Sequence, residues 1–283
     1  MTRCLVVGQP IAHSLSPSLH RAAYAALGLA WTYDAVEVPP GSLGRVLERE
    51  RPHGVSVTMP LKAEAFALAD AVSPLAAKVG VANTLVARGG GTAECAVPGR
   101  YDADNTDVAG VVASLAEAGV TSLSGSTVVV AGAGGTAQAV LVALATLGCA
   151  QVTVVARSVE RASAALSGTA DRAGLGLDVR ELTAQAFGRP DLLVATTPTG
   201  ALDRYADAAA GARVVFDVLY HPWPTPLVRA ATDSGAVVVG GLSLLVHQAA
   251  RQVELMTGRT PAPVSAMRAA GERALAERTA RWV

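Results

Sequence analysis

Between Thr127 and Ser158 the chain reads TVVVAGAGGTAQAVLVALATLGCAQVTVVARS. A β-branched run, Thr127 to Val130, ends in GAGGTA, a helical pattern follows, and a second β-branched run, Val152 to Val155, closes the stretch. This is a strand–turn–helix–strand unit, and Gly132, Gly134 and Ala137 fit the G-x-G-x-x-G/A spacing of a dinucleotide site. Gly132 permits the tight turn, Gly134 lets backbone approach a pyrophosphate, and Ala137 lets helix pack on strand. The helix start offers N–H groups and the positive end of its dipole to phosphates. An ordinary tight turn in an α/β core has the same local look. A membrane span does not: GAGG near the start, with Gln138 and Gln151 inside, breaks the apolar run that a span of about 20 residues needs.

The tip of the second strand bears on the cofactor. NAD sites usually place an acid there for the ribose 2′-hydroxyl. Here the residues are Ala156, Arg157 and Ser158, with Arg161 one turn on. A guanidinium suits a 2′-phosphate as a bidentate donor, so the expected cofactor is NADP. The competing reading is a surface arginine at a helix start.

At 283 residues and 51% hydrophobic, the chain has material for one large or two ordinary domains. Its formal net charge of zero suggests no nucleic-acid partner and no anionic membrane surface. Cys4, Cys95 and Cys149 are far apart, without CxxC or nearby histidine at ligand spacing, and the five histidines are scattered. No metal site is expected, and a reducing cytoplasm is. The apolar run Cys4 to Val7 is too short for a signal peptide. The chain has 21 arginines but two lysines, Lys62 and Lys78, and two asparagines, Asn83 and Asn105. These scarce residues are candidates for chemistry that arginine, aspartate or serine cannot perform; Lys78, in no motif, shows that chance also places them.

In chain order, residues 4–7 read as a buried strand, followed by GQPIAHSLSPSLH and a helix from near Pro17 to about Leu27. Without a Gly-rich turn, this first unit is not a dinucleotide site. It presents Ser14 and Ser16 at the carboxyl end of the strand, where open parallel sheets bind ligands. The two hydroxyls can grip a carboxylate, or Ser16 can cap the helix; both readings stand. Further strands are expected at Thr32–Val38 and Gly54–Met59, with a helix from Gly41 to Glu50 between them. Thr58 and Lys62, in TMPLK, fall on the following turn, residues 61–79 read as mostly helical, and Asn83–Thr84 open a short strand to Val86. Gly89 to Gly99 reads as an exposed loop. At DNTDVAG (104–110) a helix begins, with Asp107 in its first turn, where a carboxylate can serve merely as a dipole partner. Beyond the Gly-rich unit, strands are expected at Leu177–Leu182, from Asp191 to Thr196–Thr197, at Arg213–Val218 and at Val237–Val239. The loop LYHPWPTPL carries Tyr220, and helices at about Ser243–Met256, with Gln248, and Val264–Arg278 end the chain.

Together these motifs resemble the shikimate dehydrogenase (shikimate/quinate dehydrogenase) family over essentially the whole chain. The resemblance rests on GQPIAHSLSPSLH (8–20), GVSVTMPLK (54–62), ANT (82–84), DNTDVAG, GAGGTA (132–137), ARSVER (156–161), DVLYHPWPTPL (217–227) and GGLSLLVHQA (240–249). It implies an α/β protein: an N-terminal α/β substrate domain (1–105 and 243–283), a Rossmann-type NADP domain (106–242), and C-terminal helices packing back on the first. It implies reversible NADP-linked reduction of 3-dehydroshikimate to shikimate, in the pathway to chorismate and the aromatic amino acids. Ser14 and Ser16 would hold the substrate carboxylate, and Thr58, Lys62, Asn83, Asp107, Tyr220 and Gln248 would surround the ring hydroxyls. Lys62 and Asp107 would be the catalytic pair. Gly132, Ala133, Gly134, Gly135, Thr136, Arg157, Ser158 and Arg161 would bind NADP, with Leu219 and Gly241 near the nicotinamide. The protein would be a cytoplasmic monomer or homodimer.

The chemistry agrees: hydride leaving a secondary alcohol needs a base for the hydroxyl proton, and a small polyol acid calls for a polar lining. Three positions depart from the family pattern: Ala156 and Arg21 stand where asparagine is usual, and Leu244 where methionine is. A paralogue acting on quinate or an amino analogue of shikimate is the alternative among enzymes. A non-catalytic binding protein on the same fold is the alternative outside them.

Overall fold

The structure, a computed structural model, describes residues 1–88 and 99–280. The glycine-rich segment from Gly89 and Cys95 therefore lie outside the described residues, except for Gly99. The chain forms two compact units, Met1–Thr106 with Leu245–Val283, and Asp107–Leu244.

The first unit contains β1 (Arg3–Gly8), α1 (Ser16–Ala26), β2 (Thr32–Glu37), α2 (Leu43–Glu50), β3 (Gly54–Val57), α3 (Lys62–Leu68), β4 (Ala71–Val72), α4 (Pro74–Val79), β5 (Thr84–Ala87) and β6 (Tyr101–Asp104). The strands form one mixed sheet in the order β2-β1-β3-β5-β6-β4. The three strands β2, β1 and β3 are parallel, while β5 runs antiparallel to both β3 and β6. β1 and β3, CLVV and GVSV, are buried on both faces, as expected of central strands.

Residues 61–79 are mostly helical, as expected, with the short strand β4 separating α3 from α4; β4 and β6 are strands beyond those the sequence led us to expect. Asp70 directs that break: its N–H donates to Tyr101 O and its Oδ2 accepts from Tyr101 N, both at 2.8 Å. The partner β6, YDAD, buries Tyr101 and Ala103 in strict alternation but contains two aspartates, which weaken the strand signal.

The second unit contains α5 (Asp107–Glu117), β7 (Val128–Ala131), α6 (Gly135–Thr146), β8 (Gln151–Ala156), α7 (Val159–Ala173), β9 (Gly176–Glu181), α8 (Ala184–Phe187), β10 (Leu192–Ala195), α9 (Ala206–Ala209), β11 (Val214–Asp217), α10 (Pro226–Asp233) and β12 (Val237–Gly240). All pairings are parallel, in the order β12-β11-β10-β7-β8-β9. This is the doubly wound dinucleotide-fold order, with its switch point between β7 and β10. The helix starting at DNTDVAG begins at Asp107, and β10 stops at Ala195, leaving Thr196 and Thr197 in the loop beyond it. The loop LYHPWPTPL ends in a helix that the sequence reading does not include, α10: Thr225 caps it by accepting from Val228 N at 3.2 Å and Pro226 occupies its first turn.

Two long helices, α11 (Gly241–Thr257) and α12 (Val264–Ala280), end the chain. They pack back on the first unit, as expected. A Cβ on Gly54 would lie 2.6 Å from Met256 Cγ and Sδ, so the glycine lets α11 lie close on β3. His53 Nε2 donates to Met256 O at 2.7 Å, and α12 packs along α1, where Arg278 donates to His13 O at 2.8 Å. Among the described residues no helix is long and apolar enough to cross a membrane.

Candidate active site

In the first unit, the loop after β1 delivers the two serines. Ser14 N donates to Ile11 O at 2.9 Å, and Ser14 Oγ accepts from Ser16 N at 3.3 Å. The N-cap of α1 is Leu15, with no side-chain cap, and Ser16 is the first helical residue. The Ser16 hydroxyl therefore does not cap its helix, and it has no protein partner among the described residues.

His20 supports this loop from below. Its Nδ1 donates to Ser16 O at 2.9 Å, and its ring stacks on Tyr33 at 3.9 Å and 16°. Burial lowers the His20 pKa to about 4, outweighing the opposing effect of the Ser16 bond. Its Nε2 is buried without a partner among the described residues. The folded value is below the unfolded one of about 6.5, so the unfolded chain binds the extra proton. This contribution to stability is complete above about pH 6.5 and is lost as pH falls toward 4. We expect His20→Gln to shed about one proton's worth of the pH slope of stability in this window, read from denaturant unfolding across pH.

The turn after β3 carries Thr58 and Lys62. Thr58 N donates to Val7 O at 2.9 Å, Leu61 N to Thr58 O at 3.0 Å, and Gln9 N to Met59 O at 3.0 Å. Gly8 makes this approach possible: a Cβ there would strike Thr58 Cγ2 and stand 2.9 Å from Met59 O. Lys62 opens α3, half-buried, and its carbonyl accepts from Ala82 N at 3.1 Å. Asn83 follows, 2% exposed, with Nδ2 donating to Thr106 Oγ1 at 3.0 Å and to Gln248 Oε1 at 3.5 Å. Gln248, on α11, is held by Nε2 donating to Leu245 O at 2.9 Å.

Thr106 ends the first unit, and Asp107, buried, is the first residue of α5 in the second. A helix-dipole contribution at that position is compatible with a chemical one.

In the second unit, Gly132 has φ +108°, and a Cβ there would stand 2.5 Å from Thr196 Oγ1. Gly134 is the N-cap of α6 and so has no capping side chain; a Cβ on it would meet nothing within 4 Å. Ala133, Gly135 and Thr136 complete the turn and the first helical residues. A helix start with no capping side chain and open space beside Gly134 can take an anion on its free amides. Ala137 is fully buried. At the end of β8, Ser158 caps α7 by accepting from Arg161 N at 3.3 Å. The Arg157 and Arg161 side chains are exposed and have no carboxylate partner among the described residues. This donor set fits a nucleotide with a 2′-phosphate.

Past β11, Asp217 organises the loop that carries Leu219 and Tyr220. Its Oδ1 accepts from Leu219 N at 3.1 Å and its Oδ2 from Thr225 Oγ1 at 2.7 Å. Burial raises the Asp217 pKa. Gly241 N donates to Leu219 O at 3.2 Å, joining the start of α11 to this loop.

Three stretches match known families. Residues 6–85 match the shikimate dehydrogenase substrate binding domain, residues 114–197 the shikimate / quinate 5-dehydrogenase family, and residues 241–270 the shikimate 5'-dehydrogenase C-terminal domain. The NADP(+) shikimate dehydrogenase of Symbiobacterium thermophilum is 38% identical, with 95% of this chain and 93% of that protein covered. The chain belongs to the shikimate dehydrogenase family. The crystal structure of the Mycobacterium tuberculosis shikimate dehydrogenase is 39% identical with a TM-score of 0.84, covering 96% of this chain and 100% of that one. The Thermus thermophilus shikimate 5-dehydrogenase in complex with NADP(H) and shikimate is 34% identical with a TM-score of 0.81, covering 97% of this chain and 100% of that one.

Within this dehydrogenase fold, hydrogen bonds link Asn83 with Gln248 and Leu219 with Gly241. Lys62 belongs to the first unit, Asp107 and Tyr220 to the second. Sequence reasoning did not single out Asp217, whose signal is an acid closing an apolar strand, nor Gln252, whose signal is its position one helical turn after Gln248.

Proposed function

We propose that this chain interconverts 3-dehydroshikimate and shikimate with NADP, using residues 1–105 and 243–283 as the substrate-binding catalytic domain and 106–242 as the nucleotide domain, which also supplies Asp107 and Tyr220. The observation that carries this reading is the grouping in one family-matched unit of Ser14 and Ser16, the Thr58–Lys62 turn, and the Asn83–Gln248 pair. The two serine hydroxyls hold the carboxylate, and Thr58, Asn83, Gln248 and Tyr220 engage the ring hydroxyls. Lys62 Nζ takes the proton of the reacting hydroxyl in oxidation and returns it in reduction, while Asp107 orients the lysine and the hydroxyl. Bound NADP supplies the hydride acceptor. Gly132 to Thr136 would hold its pyrophosphate, Arg157, Ser158 and Arg161 its 2′-phosphate, and Leu219 and Gly241 would lie near its nicotinamide. Steady-state turnover with shikimate or quinate, each with NADP or NAD, tests the reading; shikimate with NADP is the expected best pair. We place the protein in the cytoplasm, as a monomer or homodimer, consistent with the free, buried Cys4 and Cys149.

Removing one charge-assisted phosphate contact costs roughly 1.5–3 kcal/mol. Arg157→Ala is therefore expected to raise the Michaelis constant for NADP about tenfold or more, with little effect on NAD. Comparable losses with both nucleotides would remove Arg157 from 2′-phosphate recognition.

Ser14→Ala with Ser16→Ala is expected to weaken shikimate binding by about tenfold or more while NADP binding is kept, as titration calorimetry would read. Unchanged shikimate affinity in a folded double variant would exclude the serines as the carboxylate site.

A further inference from the structure

We infer that Tyr33, Ser56 and Gln252 form a buried positioning relay that fixes the orientation of the Asn83 carboxamide presented to substrate. The inference rests on the proposed role of Asn83 in holding the substrate. Tyr33, Ser56, Gln252, Thr84, Asn83 and Thr106 are each at most 3% exposed, so each polar atom in the chain must find a protein partner.

Two backbone groups set every direction in this network. The Asn83 carbonyl can only accept, and the Gln252 amide nitrogen, Nε2, lies 3.2 Å from it. Gln252 Oε1 therefore faces Ser56 Oγ, 2.7 Å away, and Ser56 must donate to it. Ser56 then accepts from Tyr33 OH, whose pKa burial pushes up, so the phenol keeps its proton. The second Gln252 amide hydrogen goes to Thr84 Oγ1 at 3.1 Å, and the Thr84 hydroxyl hydrogen goes to Asn83 Oδ1 at 2.8 Å, nearer than Thr106 Oγ1 at 3.4 Å. Thr106 N, a donor only, reaches the same Oδ1 at 2.8 Å. Asn83 Oδ1 is thus pinned from two sides, and Nδ2 is directed toward Thr106 Oγ1 and Gln248 Oε1.

At its far end the relay meets the serine loop. Tyr33 stacks on His20, whose Nδ1 holds Ser16 O. A continuous buried path therefore runs from the proposed carboxylate end of the substrate site to its hydroxyl end. Removing the relay takes away the Gln252 donor that orients the Thr84 hydroxyl and leaves Thr106 N as the fixed hold on Asn83 Oδ1; the loosened amide costs affinity for shikimate although no contact to the substrate itself is removed.

The test is a double-mutant cycle in the full-length enzyme, reading the shikimate and NADP dissociation constants together with kcat and KM. Gln252→Leu is expected to raise the KM for shikimate about tenfold, with kcat changed much less and NADP binding unchanged. Ser56→Ala, a smaller excision, should move the same constants the same way by severalfold. In an Asn83→Ala background, Gln252→Leu should cost little more, because its effect passes through the amide already removed. Additive losses in the cycle, or unchanged shikimate KM in both folded relay variants, would overturn the relay while leaving the proposed function intact. Asn83→Ala with normal shikimate affinity would instead overturn the assignment of Asn83 to the substrate, and the relay with it.

Discussion

Replacing Lys62 by arginine is expected to keep the positive charge and lose about 10²–10⁴-fold in turnover, the usual contribution of a general acid–base group. The chain uses arginine 21 times and lysine twice, so a charge alone at the head of α3 did not require lysine. An amine can exchange its proton with the reacting hydroxyl; a guanidinium stays protonated in proteins and cannot. Shikimate affinity should change much less than turnover, since the carboxylate and the other hydroxyls keep their partners. Lys62→Ala should lose turnover to a similar extent. If Lys62 acts only by its charge, the arginine variant will retain much of the rate and the alanine variant will not. Turnover numbers and shikimate dissociation constants for both variants separate these cases.

Gly241→Ala is expected to abolish most NADP-linked turnover, by about 100-fold or more, and to lower thermal stability; Gly240→Ala, one residue earlier, should do neither to a comparable degree. A Cβ on Gly241 would run into Val218 O and crowd the Leu219 carbonyl carbon, both main-chain atoms with nowhere to go. The strain would displace Leu219 and break the 3.2 Å bond from Gly241 N to Leu219 O, at the loop proposed to flank the nicotinamide. A Cβ on Gly240 would meet only the Trp223 ring, 3.0 Å away on a 44% exposed side chain that can swing aside. Melting temperature and the NADP dissociation constant of the two variants check this. Equal tolerance at both positions would show that the loop at Val218 and Leu219 yields easily.

The nucleotide unit was legible in the sequence because its signals are local. β-branched strands, the Gly132–Ala137 turn and the Arg157–Ser158 tip each announce themselves within a few residues. The first unit was less so. β4, two residues long, is too short to register and β6, with two aspartates, too polar, and the two are tied together by Asp70 bonding Tyr101 thirty-one positions away. The candidate substrate residues were legible as motifs, whereas what supports them was not. Ser56 meets Gln252 across 196 positions and Tyr33 across 23, and no local pattern encodes such contacts. For Ser16 the sequence alone allows helix capping as well as ligand binding, and Leu15 takes the cap position.

The most direct measurement uses shikimate carrying deuterium on the carbinol carbon that becomes the ketone, incubated with the unaltered protein and NADP. We expect the deuterium to appear in reduced NADP in step with 3-dehydroshikimate, and the Lys62→Arg protein to bind both ligands while transferring almost none. Absence of deuterium transfer by the unaltered protein, under conditions where it binds shikimate and NADP, would contradict the proposed reaction.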